Sequence, residues 1–210
     1  MTCKIALAFS AVALLLRLAG AAPADMPSYD SPYYVIYSDL DTDTVREAAI
    51  RVTAMAEEYH QRTAGFAGTI KKKLPFYLFS KSEDYYKAGG LIGSTGMFTG
   101  QKLMAISAPG RGERNWHVVQ HEGFHQFVQA VIGGNMPIWI NEGLAEYFGE
   151  AVFTGDGFVT GLVPPDRLAR LQKAIRDNKT RPLRLSPRTP LESPPQMLIL
   201  GPLVTVPNFL

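Results

Sequence analysis

The chain has 210 residues, of which 46% are hydrophobic and 19% charged, so its composition is that of a globular protein and not of a disordered one. The formal net charge is +2, and the two cations before residue 25, Lys4 and Arg17, lie in a predicted signal peptide. The remaining chain is therefore neutral, which argues against nucleic-acid binding. The single cysteine, Cys3, lies in the same segment. This excludes disulfides, cysteine-ligated zinc and cysteine nucleophiles from the rest of the chain.

Residues 1–24 have the pattern of a signal peptide. Lys4 precedes an apolar run, Ile5–Leu16, and the small residues Ala21 and Ala24 offer cleavage sites. This run is shorter than the roughly 20 residues that a membrane-spanning helix needs. We therefore expect a secreted or periplasmic protein, with no stable membrane span once the signal is removed.

The segment after the signal predicts strands that alternate with helices. Tyr33–Tyr37 and Leu74–Phe79 are rich in β-branched and aromatic residues, which indicates strands. Between them, Val45–Gly65 has apolar residues at helical spacing and candidate N-cap residues directly before it. Lys81–Lys87 predicts a short helix, and the loose alternation of Met97–Ser107 predicts a third strand.

The second half of the chain is predicted to be mainly helical. Glu113–Ile132 has a long helical pattern that ends at two glycines, and Pro137–Phe148 forms the next predicted helix. Val152–Val163, with a glycine-rich centre, predicts a β-hairpin. Residues 164–176 begin with two prolines and continue as an amphipathic helix.

Residues 179–210 differ in character from the preceding chain, because seven of the 15 prolines lie between Pro182 and Pro207. This composition fits a mobile tail, the start of a further subdomain that is cut short, or the unnatural end of a truncated gene product. We place the folded domain at residues 25–178 and expect a Pro-rich tail over 179–210.

The motif that carries chemistry is HExxH at residues 121–125. His121 and His125 are four residues apart in the long predicted helix, so both imidazoles lie on one face. Two imidazoles at this spacing can bind one metal ion. Glu122 can reach a water molecule beside such an ion and act as a general base.

A catalytic zinc centre needs a third protein ligand. The metzincin pattern would place glycine and histidine where Val128 and Val131 stand, and a deformylase-like site would need an upstream cysteine. The next helix instead carries Glu142 and Glu146 on one face. Glu142 can complete a His-His-Glu site, and Glu146 can accept the free N–H of a ligating histidine, with His121 as the preferred partner.

The sequence resembles a known family at these residues. HExxH followed 17 residues later by the glutamate of NEGLAEYF resembles the gluzincins, the thermolysin-like zinc metallopeptidases of the peptidase MA clan. The pattern P-x-W-x-x-EGLAEYF is similar to secreted bacterial members of uncharacterised function. The resemblance is specific over residues 115–150 and weaker over residues 30–114.

The resemblance implies one Zn²⁺ ion held by His121, His125 and Glu142, with Glu122 as the catalytic base and Glu146 behind a ligating histidine. It also implies an α+β, zincin-like fold, in which a small upstream mixed sheet packs on the HExxH helix and a second helix carries the third ligand. Gluzincins add a Tyr or His from a downstream subdomain to stabilise the oxyanion, whereas the last 63 residues of this chain contain neither.

These residues predict hydrolysis of a peptide bond in a peptide or protein substrate by a secreted zinc metallopeptidase. The edge strand near residues 97–105 would hold an extended substrate by backbone pairing. The alternative is a non-catalytic zinc-binding or interaction module, which the absence of the downstream Tyr and His favours.

Other residues near the motif are interpreted as structural. His117, one turn before the motif, is expected at a pocket wall or on the surface and not as a fourth ligand, and His60 is expected to be exposed. Trp116 and Trp139 are expected to pack the two metal-site helices together. The remaining aromatic and basic candidates are expected to be solvated edge residues: Tyr85, Tyr86 and Lys71–Lys73.

Overall fold

The computed structural model describes residues 26–107, 112–133 and 136–179. The predicted signal peptide, and the predicted tail beyond residue 179, lie outside these ranges. Within them the fold is α+β, with five α-helices and a small mixed sheet, which confirms the α+β part of the predicted fold class. Across the same ranges, no helix combines the length and the apolar character needed to cross a bilayer.

The main sheet has five strands in the described chain: β1 (Ser28–Asp30), β2 (Tyr34–Ser38), β3 (Leu74–Phe79), β4 (Gly96–Phe98) and β5 (Leu103–Ile106). Their spatial order is β1-β2-β3-β5-β4. β2, β3 and β5 run parallel, whereas the two edge strands are antiparallel to their neighbours. Parallel strands need crossover connections, and the helices α1 (Thr42–Thr63) and α2 (Ser82–Lys87) lie in these connections.

The two faces of the sheet pack against different apolar clusters, because side chains alternate along each strand. Leu103 and Ala105 of β5 belong to the larger cluster, which includes residues of α1 and of the HExxH helix. Met104 and Ile106 belong to a smaller cluster with Tyr85 of α2. Since all four β5 residues are buried, the strand is covered on both faces, as parallel strands usually are.

The helical half of the chain contains the metal-site motif. Its elements are α3 (Gly112–Phe127) with a π-helical extension (Val128–Ile132), α4 (Ile138–Gly149), the hairpin β6–β7 (Val152–Phe153 and Phe158–Val159) and α5 (Pro165–Arg176). Gly133 ends the extension with a φ of 83°, a left-handed conformation that favours glycine. The chain can therefore turn sharply there and return along α3 as α4.

Two predictions for the sheet differ from the structure. Met97–Ser107 is not one strand but the antiparallel pair β4 and β5, because Gly100 adopts a φ of 83° and the Thr99 N–H donates to the Lys102 carbonyl at 3.1 Å. The strand β1 was not predicted, because its three residues, Ser28–Asp30, carry no alternating pattern of their own. It forms by pairing with β2.

The buried side chain of Gln120 joins α3 to the end of α4. Its Nε2 donates to the carbonyls of Phe148 at 2.9 Å, Gly149 at 3.2 Å and Ala151 at 2.9 Å. The last carbonyls of a helix lack partners within the helix, so Gln120 satisfies them from a neighbouring element. Its Oε1 accepts a hydrogen bond from Arg51 Nη2 at 3.2 Å.

We expect Gln120→Met to lower the free energy of unfolding by about 1–3 kcal/mol, because buried carbonyls at the end of α4 lose their donor. Chemical denaturation of metal-free protein measures the effect without a contribution from ion binding. Gln129→Met is the matched control, since Gln129 is exposed and its side chain donates to the Gly100 carbonyl at 2.7 Å in an exposed hydrogen bond. It should change stability by less than about 0.5 kcal/mol. Equal losses in the two variants would contradict the role assigned to Gln120.

Candidate metal centre

The helix α3 brings the two predicted histidine ligands together. His121 and His125 are one turn apart, and their ring centroids are separated by 4.8 Å. Their Nε2 atoms point toward one another at 3.2 Å. The i, i+4 spacing therefore produces the expected convergence of two imidazole nitrogens.

The helix α4 adds the third predicted ligand. Glu142 lies with Oε2 at 3.5 Å from His121 Nε2 and Oε1 at 3.6 Å from His125 Nε2. All three residues offer a ligand atom within 4.8 Å of the others, which is the arrangement of a metal-binding group. This meeting is possible because α4 packs against α3 with Glu142 next to both histidines.

The two imidazole nitrogens have a spacing that suits a small tetrahedral ion. Ligands about 2.0–2.1 Å from a zinc ion at tetrahedral angles lie roughly 3.3 Å from one another. The two Nε2 atoms are 3.2 Å apart, and each lies 3.5 or 3.6 Å from a different oxygen of the Glu142 carboxylate. Two imidazoles and one carboxylate leave a fourth tetrahedral position without a protein ligand, which is typical of catalytic zinc sites.

Polar partners lie at the second nitrogen of each imidazole. His125 Nδ1 lies 3.1 Å from Asn141 Oδ1, so Nδ1 carries the proton and the Nε2 lone pair faces the other ligands. His121 Nδ1 lies 3.7 Å from Glu146 Oε1, which is beyond hydrogen-bond distance. The predicted hydrogen bond of Glu146 to His121 stays a prediction, although the two side chains are neighbours.

The carboxylate of Glu122 lies beside the metal-binding group and is only 3% exposed. Its Oε2 accepts a hydrogen bond from the Phe98 N–H of the edge strand β4 at 2.9 Å. Burial raises the pKa of Glu122 to about 7, although the His121 charge and the Phe98 hydrogen bond both lower it. A carboxyl group with a pKa near neutrality can both accept and release a proton at physiological pH.

The ligands themselves have perturbed pKa values in the metal-free protein. Burial lowers the pKa of His121, but hydrogen bonding to Glu142 and the charges of nearby glutamates outweigh burial, so the net shift is upward. Burial and the charge of His121 lower the pKa of His125. Burial raises the pKa of Glu142, but the His121 hydrogen bond and the charges of His125 and His121 together outweigh burial, so the net shift is downward.

The structure brings together all five predicted site residues and also reveals partners that were not predicted. Asn141 directly precedes Glu142, and the asparagine in NEGLAEYF was a signal that could have been used. Arg167 of α5 contacts Glu146, and the Phe98 N–H contacts Glu122. Neither contact could be predicted from a local sequence pattern, because each joins segments that are distant in sequence.

Several other predictions can be compared with the structure. His117 lies beside Glu150, with 3.7 Å between Nδ1 and Oε1, and is not in the three-ligand group. The prediction that His60 is exposed is wrong, since it is half-buried and its Nε2 accepts the Ile70 N–H at 3.2 Å. Tyr85 is also not a solvated edge residue: it is fully buried because α2 covers the second face of the sheet. Lys71–Lys73 are exposed as expected.

The two tryptophans have different surroundings. Trp116 packs against the larger apolar cluster, and the Arg51 guanidinium lies 4.6 Å from the centre of its ring. This cation–π contact ties α3 to α1. Trp139 is half-buried on α4, and its packing between the two metal-site helices stays a prediction.

No protein-family model matches the chain, and no curated protein matches it significantly. The geometry of the centre, together with the motif, is therefore the basis for assigning a function.

We expect Glu142→Ala to weaken zinc binding more than Glu146→Ala does. Glu142 is a ligand candidate, whereas Glu146 faces the far nitrogen of His121, and loss of such an orienting partner typically lowers metal affinity about 10–100-fold. Competition titration against a chromogenic chelator would rank wild type and both variants. If Glu146→Ala abolished binding while Glu142→Ala left it unchanged, the two roles would be reversed.

A second prediction concerns the pH dependence of stability in the metal-free protein. The folded-state pKa of Glu122 is raised from 4.5 to about 7, so stability is highest below pH 4.5, where the folded and unfolded states both carry the proton. Stability falls as the pH rises from about 4.5 to about 7, because the unfolded state ionises freely there while the folded state keeps the proton. At about 1.4 kcal/mol per pKa unit, the loss is on the order of 3 kcal/mol.

We therefore expect wild type to lose on the order of 3 kcal/mol relative to Glu122→Gln between pH 4.5 and pH 8. Urea unfolding of both chelator-treated proteins across this range gives the difference between their free energies of unfolding. The contributions of other titrating groups largely cancel, because the two proteins share these groups. Glu47→Gln, at an exposed position of α1, is the control and should follow wild type. A pH-independent difference between wild type and Glu122→Gln would show that burial does not perturb Glu122.

Proposed function

We propose that the chain is a secreted zinc-dependent metallopeptidase with a gluzincin-like site and a zincin-like fold, and that it hydrolyses peptide bonds. The observation that carries the proposal is the convergence of His121, His125 and Glu142, whose ligand atoms lie within 4.8 Å of one another, with the buried Glu122 carboxylate beside them. The motif accounts for the two ligands on α3, and the packing of α4 against α3 adds the third.

Zinc is the ion that best fits these ligands. A set of two imidazoles and one carboxylate with one open position is typical of catalytic zinc in peptidases. A bound zinc ion supplies Lewis acidity, which polarises a carbonyl and makes a water molecule ionise near pH 7 (a pKa of about 7). The electrostatic surroundings also suit a cation, since several carboxylates surround the two histidines.

The chain's own base is Glu122. The Phe98 N–H holds Oε2 at 2.9 Å, which leaves Oε1 to accept a proton from the attacking water. As the water oxygen bonds to the carbonyl carbon and the C–N bond breaks, Glu122 passes this proton to the leaving amine nitrogen. A pKa of about 7 suits both transfers, because it lies near the pH at which the protein works.

The edge strand β4 supports an extended substrate. In its pairing with β5, the Ile106 N–H donates to Thr95 and the Thr99 N–H donates to Lys102. In an antiparallel pair, residues whose backbone N–H and C=O groups point toward the partner strand alternate with residues whose groups point away. The backbone groups of Gly96 and Phe98 therefore point away from β5. The Phe98 N–H bonds to Glu122, so its carbonyl lies next to the base and can accept a backbone N–H from a peptide.

A non-catalytic zinc-binding module is the second candidate. The observation that favours it is the absence of Tyr and His after Tyr147 in the sequence, since gluzincins use such a residue to stabilise the oxyanion. Tyr147 itself donates to Thr160 Oγ1 at 2.9 Å. The two candidates share the metal centre and differ only in turnover.

We expect the wild-type chain without residues 1–24 to bind one zinc ion and to cleave members of a mixed peptide library. Glu122→Gln should keep the ion and lose cleavage by at least about 100-fold, because the amide retains the shape of the side chain but cannot accept a proton. Elemental analysis measures zinc, and mass spectrometry of the library measures turnover.

The matched control is Glu47→Gln, which makes the same change on the exposed surface of α1 and should leave both readouts unchanged. A zinc content near zero in wild type, with no uptake on titration, would contradict the metal centre. Zinc without turnover in wild type would favour the binding module. Turnover by Glu122→Gln within a few-fold of wild type would remove Glu122 from the base role.

A further inference from the structure

The helix α5 contributes a guanidinium to the outer side of the metal centre. Arg167 Nη1 lies 2.6 Å from Glu146 Oε2, and Nη2 lies 3.1 Å from Glu150 Oε1. The three side chains are 21–29% exposed, so the ion pairs are shielded from solvent more than surface pairs are. One guanidinium therefore bridges two carboxylates, with one ion-pair contact to each, and its charge attracts Glu146 Oε2 to the α5 side.

These two carboxylates need a cation between them. Glu146 and Glu150 are four residues apart on α4, and like charges at this spacing repel. Together with His117, they form a second group whose candidate ligand atoms lie within 4.8 Å of one another. Arg167 supplies the positive charge at this group from the chain itself.

The carboxylate of Glu146 connects Arg167 to the proposed zinc ligand His121. Its Oε2 faces the guanidinium at 2.6 Å, while its Oε1 faces His121 Nδ1 at 3.7 Å. The direction of one oxygen determines that of the other, because the carboxylate is planar. A carboxylate at Nδ1 keeps the proton there and leaves the Nε2 lone pair for a metal ion.

We propose that Arg167 is a positioning residue for the metal centre, which acts by holding the Glu146 carboxylate toward His121. This inference rests on the proposed zinc site and extends it to α5, an element outside the HExxH and NEGLAEYF motifs. Without Arg167, repulsion from Glu150 would favour rotation of Glu146 away from its present direction. His121 would then lose the partner that selects its metal-binding tautomer.

The test is zinc affinity in the purified chain without residues 1–24, measured by chelator competition at less than one equivalent of zinc. Arg167→Met should lower the affinity by about tenfold or more, since loss of an orienting partner has effects of this size. Arg167→Lys should recover part of the loss, because it keeps the charge but not the two-pronged contact. Arg170→Met is the control, since Arg170 pairs with Asp166 on the exposed side of α5.

A double-mutant cycle with Glu146→Gln separates positioning from a general loss of structure. If Arg167 acts through Glu146, Arg167→Met should have no further effect in a chain that already carries Glu146→Gln, so the effects will not add. If Arg167→Met instead detached α5, it would lower the zinc affinity equally in the wild-type chain and in the chain that carries Glu146→Gln. Two-dimensional NMR of the metal-free protein provides a second readout, because imidazole nitrogen shifts report the tautomer of His121.

Wild-type affinity in Arg167→Met, or fully additive effects in the cycle, would overturn the positioning role. These outcomes differ from failure of the proposed function, in which the wild-type chain itself would bind no zinc. The cycle does not depend on turnover, so it also applies if the centre is a binding module.

Discussion

The contact between α3 and α4 is the constraint on which the candidate site depends. Two histidines on α3 can hold an ion only with a third ligand, and Glu142 reaches them because α4 returns along the same face. Gln120 stabilises this arrangement from within, since its side chain donates to three carbonyls at the end of α4. Loss of this contact would affect both the fold and the separation of the ligands.

The candidate metal centre brings several carboxylates close together where they are partly shielded from solvent. Glu122, Glu142 and Glu146 lie around the two histidines, and in the described part of the chain Arg167 pairs with Glu146 and with the neighbouring Glu150. Burial of such charges is unfavourable unless they are paired. A divalent cation would compensate for much of this charge, which is a physical reason for the proposed zinc ion.

The burial of Glu122 links stability to function. A carboxylate this far from solvent destabilises the metal-free fold at neutral pH, and a polar or apolar residue would be less costly there. The carboxylate lies beside the candidate ligands, where it could act as a general base. This proposed role is a reason for placing an energetically unfavourable carboxylate there. The hydrogen bond from the Phe98 N–H connects this base to the strand that is proposed to pair with the substrate.

The sequence by itself determined the features that follow from local periodicity. The helical pattern placed His121 and His125 on one face, and the same spacing placed Glu142 and Glu146 together on α4. Helix ends at glycines and the strand β3 were also predictable, because turn formation and β-propensity depend on neighbouring residues. These local rules cover most of the helices and the five predicted site residues.

Only the tertiary structure decided the contacts between distant segments. Arg167 meets Glu146, and the Phe98 N–H meets Glu122, across many intervening residues. The burial of Tyr85 likewise depends on Met104 and Ile106 of β5, which lie outside any short window around Tyr85. The physical reason is that side-chain periodicity specifies which face a residue occupies, whereas packing of whole elements specifies what that face meets.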